Sequence, residues 1–471
     1  MNNQSPIEVS TLESLLSVSD STKVMGYDQS ANKVGFISVG QLKSTTYCGC
    51  RWRRSEATPV GEPIGSLPKI ERLIDLFGLG GYIVHDDHSR QKLSPTNHNV
   101  YLTGGTALLD GQHGHYNWGS GVGIFYAQWY DGEYDCEAVD TVPIPGRLNY
   151  YIPVFSRSCA GYAAIDRTNL KLVNYINRGV QYRGGNNNAN YDGTWCSLLG
   201  KPVSNIPIAT AATYARKNGS LWFANSRVVF FITAALMRIY FHNRNIQAGF
   251  NASLTADNLH QGGLGSGIDL PFSWGNNGSN PYLDLGEGVD RGDFTGIFST
   301  TMTGPDGNTL TVGNIPSFAG LKNFYKYLWA MTEDELLQCN VDGSQTLFVD
   351  DVIDGHLFDF STVTGKTVAG TTPTYSSANW NFIKRMNLEN LAMVPVEVGG
   401  TESTYYGDGY YNPASTSGLR GAIRLGHADY GGHAGSCVLY GYYAPSYADA
   451  SGGFALCEFQ KAFSTKPTFF S

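Results

Sequence analysis

The stretch GLRGAIRLGHADYGGHAGSCVLYGYYAPSYADASGGFALCEF, residues 418–459, decides how the chain is interpreted. It opens on an alternating segment at 418–426 that predicts a strand, and it closes on a second predicted strand at 454–459. Between them, tyrosines alternate with Gly, Ala, Ser, Asp and His. Tyrosine offers a large, rigid contact surface with few torsions to fix, and small neighbours let it reach a partner. The composition indicates a binding surface, although a glycine-rich strand pair with tyrosines at its edge explains it equally well.

The amino-acid types that are missing from this stretch favour the binding surface. Residues 427–454 contain no Trp, Met, Gln, Lys or Glu, although all of these types occur elsewhere in the chain. None of them can be reached from an asparagine codon by changing its adenines, whereas Tyr, His, Asp, Ser, Gly, Ala, Val and Phe can. With YAPSYADAS at 443–451 and ALCEF at 455–459, the pattern resembles the variable region of proteins diversified by retroelements through adenine mutagenesis. Many of these are phage receptor-binding proteins with a C-type-lectin-like domain.

Composition and charge exclude several functional classes. The 471 residues carry a formal net charge of -8, so the electrostatic footprint of a nucleic-acid-binding protein is missing. The polar first twenty residues show no signal peptide, and the longest apolar run, Val228 to Met237, is too short to span a bilayer. The eight cysteines are scattered rather than spaced as a disulfide framework.

Two more segments carry the resemblance. The piece AAIDRTNLKL at 163–172 is one of them. The other spans 204–265, where predicted helices at 211–217 and 227–243 are followed by RNIQ and QGGLG. These segments resemble the formylglycine-generating-enzyme type of C-type lectin fold. The resemblance implies an α+β fold in which the helices brace a sheet whose far side displays variable side chains.

The remaining segments complete a predicted domain plan. Residues 1–46, with a hairpin predicted at 23–39, form a small N-terminal segment for virion attachment or oligomerisation, as in phage tail fibres; a flexible leader is the alternative. Residues 47–461 form one elaborated lectin-like domain, and 462–471 a tail. A short helix is predicted over 66–78, and the capping box at 332–335 predicts a helix to Cys339.

Candidate catalytic and metal-binding motifs are weak. His85 and His88, like His113 and His115, lack a third metal ligand placed by spacing, and we expect exposed polar loops. Cys437 and Cys457 are expected to be buried, with pairing left open. Several carboxylates, none standing out as a pair, leave glycoside cleavage as an alternative: Asp284, Glu287, Asp290, Asp350 and Asp351. We expect neither an enzyme nor a cofactor or metal; calcium binding stays open.

The resemblance implies a phage tail-tip receptor-binding protein that recognises a host cell-surface protein or glycan. Its virion would be assembled in the bacterial cytoplasm, its N-terminal segment would contact other tail proteins, and the chain would be a homotrimer. The predicted ligand-binding residues, all of types reachable from asparagine codons, are His427, Asp429, Tyr430, His433, Tyr440, Tyr442, Tyr443, Tyr447 and Asp449. The alternatives are a polysaccharide-degrading tail spike and a bacterial cell-surface adhesin.

Overall fold

The structure of the chain is a computed structural model. The structure describes residues 23–28, 33–38, 47–111, 113–176, 182–183, 200–250, 283–303, 309–325, 327–374, 378–414, 417–427, 432–449 and 451–470.

The strands dominate the described part of the chain. In chain order the first are β1 (Lys23–Asp28), β2 (Lys33–Ser38), β3 (Cys48–Arg53), β4 (Glu62–Gly65), β5 (Gly80–Val84), β6 (Arg90–Ser94), β7 (Asn97–Tyr101), β8 (His115–Gly119), β9 (Ile124–Tyr130) and β10 (Tyr134–Asp140). They continue with β11 (Arg147–Ile152), β12 (Phe155–Ser158), β13 (Ala164–Asp166), β14 (Lys171–Val173), β15 (Tyr182–Arg183), β16 (Trp222–Ala224), β17 (Gly296–Thr303), β18 (Thr309–Phe318), β19 (Leu321–Lys322), β20 (Ala330–Cys339) and β21 (Gln345–Val349). The last are β22 (Val352–Ile353), β23 (Thr367–Thr371), β24 (Asn379–Asn387), β25 (Val394–Val398), β26 (Gly409–Asn412), β27 (Gly418–Arg424), β28 (Leu439–Tyr440), β29 (Leu456–Phe459), β30 (Phe463–Ser464) and β31 (Thr468–Phe470).

The α-helices of the described residues are α1 (Leu67–Glu71), α2 (Leu73–Leu76), α3 (Ile208–Arg216) and α4 (Arg227–Tyr240). Short 3₁₀ turns lie at Ile246–Gly249, Val289–Arg291 and Glu389–Leu391. Helix α1 begins where the sequence predicts, because the Ser66 side chain accepts a hydrogen bond from the Lys69 backbone N–H. Helix α4 is buried along its whole length from Arg227 to Ile239, and a helix that is buried on all sides belongs to a core rather than to one face of a sheet.

Three large sheets organise the described residues. A six-stranded sheet has the order β31-β11-β9-β10-β3-β4, and a seven-stranded sheet has the order β16-β29-β12-β8-β5-β6-β7. The eight-stranded sheet, ordered β23-β21-β20-β27-β28-β26-β24-β25, curls into a nearly closed barrel. Its first strand, β23, lies close to the other end of the sheet, where the Asn387 side-chain amide on β24 donates to the Ala369 carbonyl at 2.9 Å. Smaller sheets are β1-β2, β14-β13-β15, β17-β18-β19 and β22-β30.

The expected α+β fold with a C-type-lectin-like domain is wrong. Strands account for 42% of the molecule and helices for 13%, distributed over several sheets and the barrel. The expectation treated the two helices as braces of a single sheet and did not assign individual strands to residues 266–400. That region instead supplies β17 to β25, and α4 has contacts with strands of different sheets, among them β3, β10, β12 and β20.

The predicted helix at 332–339 illustrates why strands such as β20 could not be predicted from local sequence. Thr332 to Glu335 lie inside β20, at a register shift between Met331 and Leu336 where the strand bulges away from β27. Three successive carboxylates there are buried, and each contacts an arginine: Glu333 contacts Arg216, Asp334 contacts Arg227, and Glu335 contacts Arg424. A sequence pattern typical of a helix start is therefore a bulge built around long-range ion pairs, which local spacing cannot reveal.

Candidate functional site

One face of the eight-stranded sheet carries a row of large side chains across five strands. In the strand register, Trp380 lies opposite Tyr411, which lies opposite Tyr440, which lies opposite Ile423, which lies opposite Met331. Side chains directly opposite each other share one face of a sheet, so these five form a continuous band. The rings of Tyr411 and Tyr440 stack with centroids 4.8 Å apart.

Rings from neighbouring segments extend this band. Tyr442 lies perpendicular to Tyr443, with centroids 5.1 Å apart, and Tyr443 stacks on Tyr447 at 3.7 Å. At the other side, the His433 ring stacks on Phe382 at 4.7 Å. We call the connected set of rings the aromatic face; it comprises Trp329, Trp380, Phe382, Tyr411, His427, His433, Tyr440, Tyr442, Tyr443 and Tyr447.

Exposure to solvent changes along the band. Met331, Ile423 and Tyr440 are buried, and they pack into a core with Trp222. Trp380, Tyr411, Tyr443 and Tyr447 are partly exposed, whereas Tyr442 is 41% exposed. One end of the band therefore lies in the core, and the rings at its other end lie at the surface. A rigid ring held at a surface offers apolar area and, for tyrosine, a hydroxyl for hydrogen bonding.

The predicted ligand-binding residues divide by position. His427, His433, Tyr442, Tyr443 and Tyr447 contribute partly or largely exposed rings to the aromatic face. Tyr440 belongs to the same face but is only 7% exposed, so its ring packs against the other rings and offers little surface to a ligand. Asp429 and Tyr430 lie outside the described residues.

Asp449 sits beside the aromatic face in a local turn. Its carboxylate accepts hydrogen bonds from the backbone N–H of Ser451 at 2.8 Å and from the Ser451 hydroxyl at 2.6 Å. Its backbone carbonyl accepts from the Asn205 N–H at 2.9 Å. These contacts fix the end of the loop that carries Tyr443 and Tyr447.

Sequence reasoning missed four rings of this face, namely Trp329, Trp380, Phe382 and Tyr411. They lie outside the window 427–454, on β24, on β26 and just before β20. Strand pairing brings them beside the C-terminal tyrosines, and no local signal in the sequence reports that pairing. Trp380 and Phe382 are two positions apart on β24, which is a weak local signal that their side chains lie on the same side of that strand.

Buried polar contacts hold the backbone behind the face. Asp408 is fully buried, and its carboxylate accepts from the Cys437 N–H at 2.7 Å. Arg424 on β27 contacts Glu335 at 2.7 Å, and both side chains are buried. Cys437 and Cys457 are buried free thiols, and burial raises the pKa of each to about 12. A thiol in that condition is a structural side chain rather than a nucleophile.

The electrostatics of the face favour neutral rings. Burial lowers the pKa of His433, so the imidazole is uncharged at neutral pH. Burial, followed by the nearby Asp449 and Tyr443, raises the pKa of Tyr447 far above its ordinary value. Burial also raises the pKa of Tyr411. The hydroxyls of Tyr447 and Tyr411 therefore remain protonated hydrogen-bond donors.

Several of the acidic residues considered for glycoside cleavage have local partners. Asp350 contacts His356 at 2.8 Å, Asp351 contacts Lys466 at 2.8 Å, and the Glu287 carboxylate accepts from the Thr300 hydroxyl. The expectation of exposed polar loops is wrong for His115, which is 1% exposed on β8. His88 contacts the buried Glu458 at 2.9 Å.

No protein-family model matches the chain, and no curated protein sequence is similar to it. Among the described residues, no helix is both long enough and apolar enough to cross a lipid bilayer.

Proposed function

We propose that this chain is a receptor-binding protein of a phage tail, and that it recognises a host cell-surface ligand through the exposed end of the aromatic face. The observation that carries the proposal is the cluster of partly exposed rings around Tyr411, Tyr442 and Tyr443, held in contact with one another at a surface. Aromatic residues dominate the binding energy of protein surfaces because they bury large area while losing little conformational entropy.

The composition of residues 427–454 supports the same proposal. Six rings of the aromatic face come from this window, and all are types that an asparagine codon reaches by changes at its adenines. Diversification of such codons would change the exposed rings while β24 and β26 continue to supply Trp380 and Tyr411. The resemblance to retroelement-diversified proteins, stated above on sequence alone, is part of this proposal.

The proposal includes the assembly. Residues 1–46 would attach the chain to other tail proteins, and the chain would act as a homotrimer on the virion tail. Several copies of one site bind a repetitive cell surface far more tightly than a single copy, because binding of the second site becomes intramolecular.

Binding to cells tests the proposal. Fluorescently labelled protein is added to a panel of different intact bacterial strains, and binding is measured by flow cytometry. On a strain that binds, Tyr411→Ala and Tyr442→Ala should each weaken binding by about tenfold or more, as expected for central aromatic contacts.

The matched control is Tyr130→Ala, because Tyr130 is 58% exposed but lies at the end of β9 in the six-stranded sheet. This variant should bind like the unmodified protein. Equal loss in all three variants, or no loss in the first two, would show that the aromatic face is not the binding surface.

A further inference from the structure

A cleft lies on the six-stranded sheet, whereas the aromatic face belongs to the eight-stranded one. The cleft has a volume of about 310 Å³. One of its sides is β11, which contributes Asn149 and Tyr151, and the other is the segment 461–470, which includes β30 and β31. Ligand pockets in proteins measure about 300–1,000 Å³, so this cleft has room for a small ligand such as one sugar ring. The proposed binding to cells does not use it.

Hydrogen bonds of the backbone fix the segment that borders the cleft. The Gln460 N–H donates to the Val154 carbonyl at 2.9 Å, and the Thr465 N–H donates to the Asp351 carbonyl at 2.7 Å. Strand β31 then pairs antiparallel with β11. The cleft is therefore formed before any ligand arrives, and binding does not have to order this part of the chain.

Aromatic rings form an apolar wall of the cleft. Tyr151 and Phe470 line it, and both are partly exposed. Phe125 lies opposite Tyr151 in the strand register, and its ring centroid is 4.9 Å from that of Tyr151 and 5.9 Å from that of Phe470. The three rings support one another on one face of the sheet. Such a wall offers apolar area to a ligand and, at Tyr151, a hydroxyl.

The segment 461–470 adds cations and hydroxyls to this wall. The Lys461 ammonium lies 4.9 Å from the centre of the Tyr151 ring, and in the part of the chain that the structure describes no carboxylate contacts it. Lys466 differs, because its ammonium contacts Asp351 at 2.8 Å. Ser464 and Thr468 also line the cleft, and both are exposed. Lys461 is therefore the cation available to a ligand.

The charge of the cleft indicates the class of ligand. None of the described residues that line the cleft is acidic, although the whole chain carries a formal net charge of -8. A positive cleft favours an anion. A bare anion would use Lys461 alone, whereas a sugar ring with a carboxylate also has a C–H face for the aromatic wall and hydroxyls for Ser464 and Thr468.

We propose that this cleft binds one carboxylated sugar unit, such as a hexuronic acid, of an anionic polysaccharide. Lys461 pairs with the carboxylate, Tyr151 and Phe470 pack against the C–H face of the ring, and Ser464 and Thr468 hydrogen-bond to its hydroxyls. The inference goes beyond the proposed function and does not rest on it, because the cleft and the aromatic face belong to different sheets.

Saturation-transfer-difference NMR on the purified protein tests the proposal with D-glucuronate, D-glucose and inorganic phosphate. We expect signals from the ring protons of glucuronate, and binding of glucose that is weaker by about fivefold, the value of one exposed ion pair. Phosphate at the same concentration should not displace glucuronate. Higher salt should weaken glucuronate binding, because exposed charges are screened.

Substitution of Lys461 locates the site. Lys461→Ala should weaken glucuronate binding by about fivefold, and Lys461→Glu should bind none at concentrations that saturate the unmodified protein. Lys461 is exposed, so neither change should affect folding. Lys366→Ala is the matched control, because the Lys366 ammonium also lies over an aromatic ring, 4.4 Å from the centre of Phe358, outside the cleft. This variant should bind glucuronate like the unmodified protein.

Four results would each overturn the proposal: no saturation transfer to glucuronate, equal binding of glucose, displacement of glucuronate by an equal concentration of phosphate, or equal weakening in Lys461→Ala and Lys366→Ala. The first three need no variant, so misfolding of a variant cannot hide them. Tyr442→Ala, which tests the aromatic face, should bind glucuronate normally. Failure of the sugar site and failure of the proposed cell binding are therefore distinguishable.

Discussion

Tyr440 and Tyr442 are two positions apart and of the same type, yet they occupy different environments. Tyr440 is 7% exposed and contacts Tyr411, Trp329 and Trp380, whereas Tyr442 is 41% exposed. Sequence composition treats the two residues alike. Their difference arises from strand pairing, because Tyr440 belongs to β28 and Tyr442 follows it in a loop.

Replacing each of these tyrosines with alanine should therefore affect a different property, namely stability for Tyr440 and ligand binding for Tyr442. Tyr440→Ala should lower the free energy of unfolding by about 3–5 kcal/mol, since it leaves a cavity among packed rings. Tyr442→Ala should change it by about 0.5 kcal/mol and should act on ligand binding instead. Urea denaturation followed by circular dichroism measures both, and equal losses of stability would contradict the division between support and surface.

The carboxyl group of Glu333 should make stability depend on pH. Burial, opposed by Arg216 and the backbone N–H of Ala224, raises its pKa from 4.5 to about 7. Because the folded-state pKa is raised, the group contributes most to stability below about pH 4.5, and that contribution is lost as the pH rises through 7. The change amounts to about 3 kcal/mol.

The Glu333→Gln variant isolates this effect, because other carboxylates titrate in both proteins. Unfolding free energies at several pH values between 4 and 8 should fall more steeply in the unmodified protein than in the variant. Parallel pH profiles would show that Glu333 is ionised throughout and that Arg216 governs its state.

At the scale of elements, helices and strands with a regular sequence pattern were predictable, whereas structure that depends on contacts between distant residues was not. The hairpin at 23–39, the helix that begins at Arg227 and the strand at 418–426 were confirmed as β1-β2, α4 and β27, because periodicity and turn residues are local signals. The bulge in β20 was mistaken for a helix, since the arginines that neutralise its acidic residues lie between 89 and 117 residues away. Six of the ten rings of the aromatic face were predictable for the same reason, because they lie within the single window 427–454, whereas the other four come from separate segments of the chain.

The C-terminal stretch also contains glycines with different structural roles. A Cβ on Gly435 would fall on the carboxylate of Asp408, which is fully buried and accepts from the Cys437 N–H. A Cβ on Gly452 would meet only the Asp449 carbonyl oxygen, at an ordinary 3.5 Å. The first glycine is therefore part of the frame, and the second has room for a side chain.

Alanine at these two positions tests that distinction. Gly435→Ala should lower the free energy of unfolding by about 1–3 kcal/mol, as overpacking does, and should lower the melting temperature accordingly. Gly452→Ala is the matched control and should be neutral or slightly stabilising, because alanine restricts the unfolded chain. A Gly435→Ala protein as stable as the control would show that the loop can move away from Asp408.

At the scale of the whole molecule, the frame and the exposed rings are held by different interactions. The frame depends on buried ion pairs such as Arg238 with Glu137, and on the fully buried helix α4. Removing one partner of such a pair costs about 3–5 kcal/mol, because the other charge is left buried and unpaired. The exposed rings contribute little to this total, so they can change while the fold persists.

That separation predicts where copies of the gene should differ. Under the proposed diversification, a template copy of the segment for residues 418–459 should carry adenine-rich codons at exposed or partly exposed positions such as Tyr442, Tyr443 and Tyr447. Codons for the fully buried Ala434, Cys437 and Leu439 should be identical in both copies, because any change there would cost stability. Sequencing the segment and its genomic neighbourhood in related isolates measures this, with the codons of β24 as an unchanging reference. Differences spread evenly over buried and exposed codons, or a segment identical in every isolate, would contradict the prediction, since neither leaves the surface free to vary on a fixed frame.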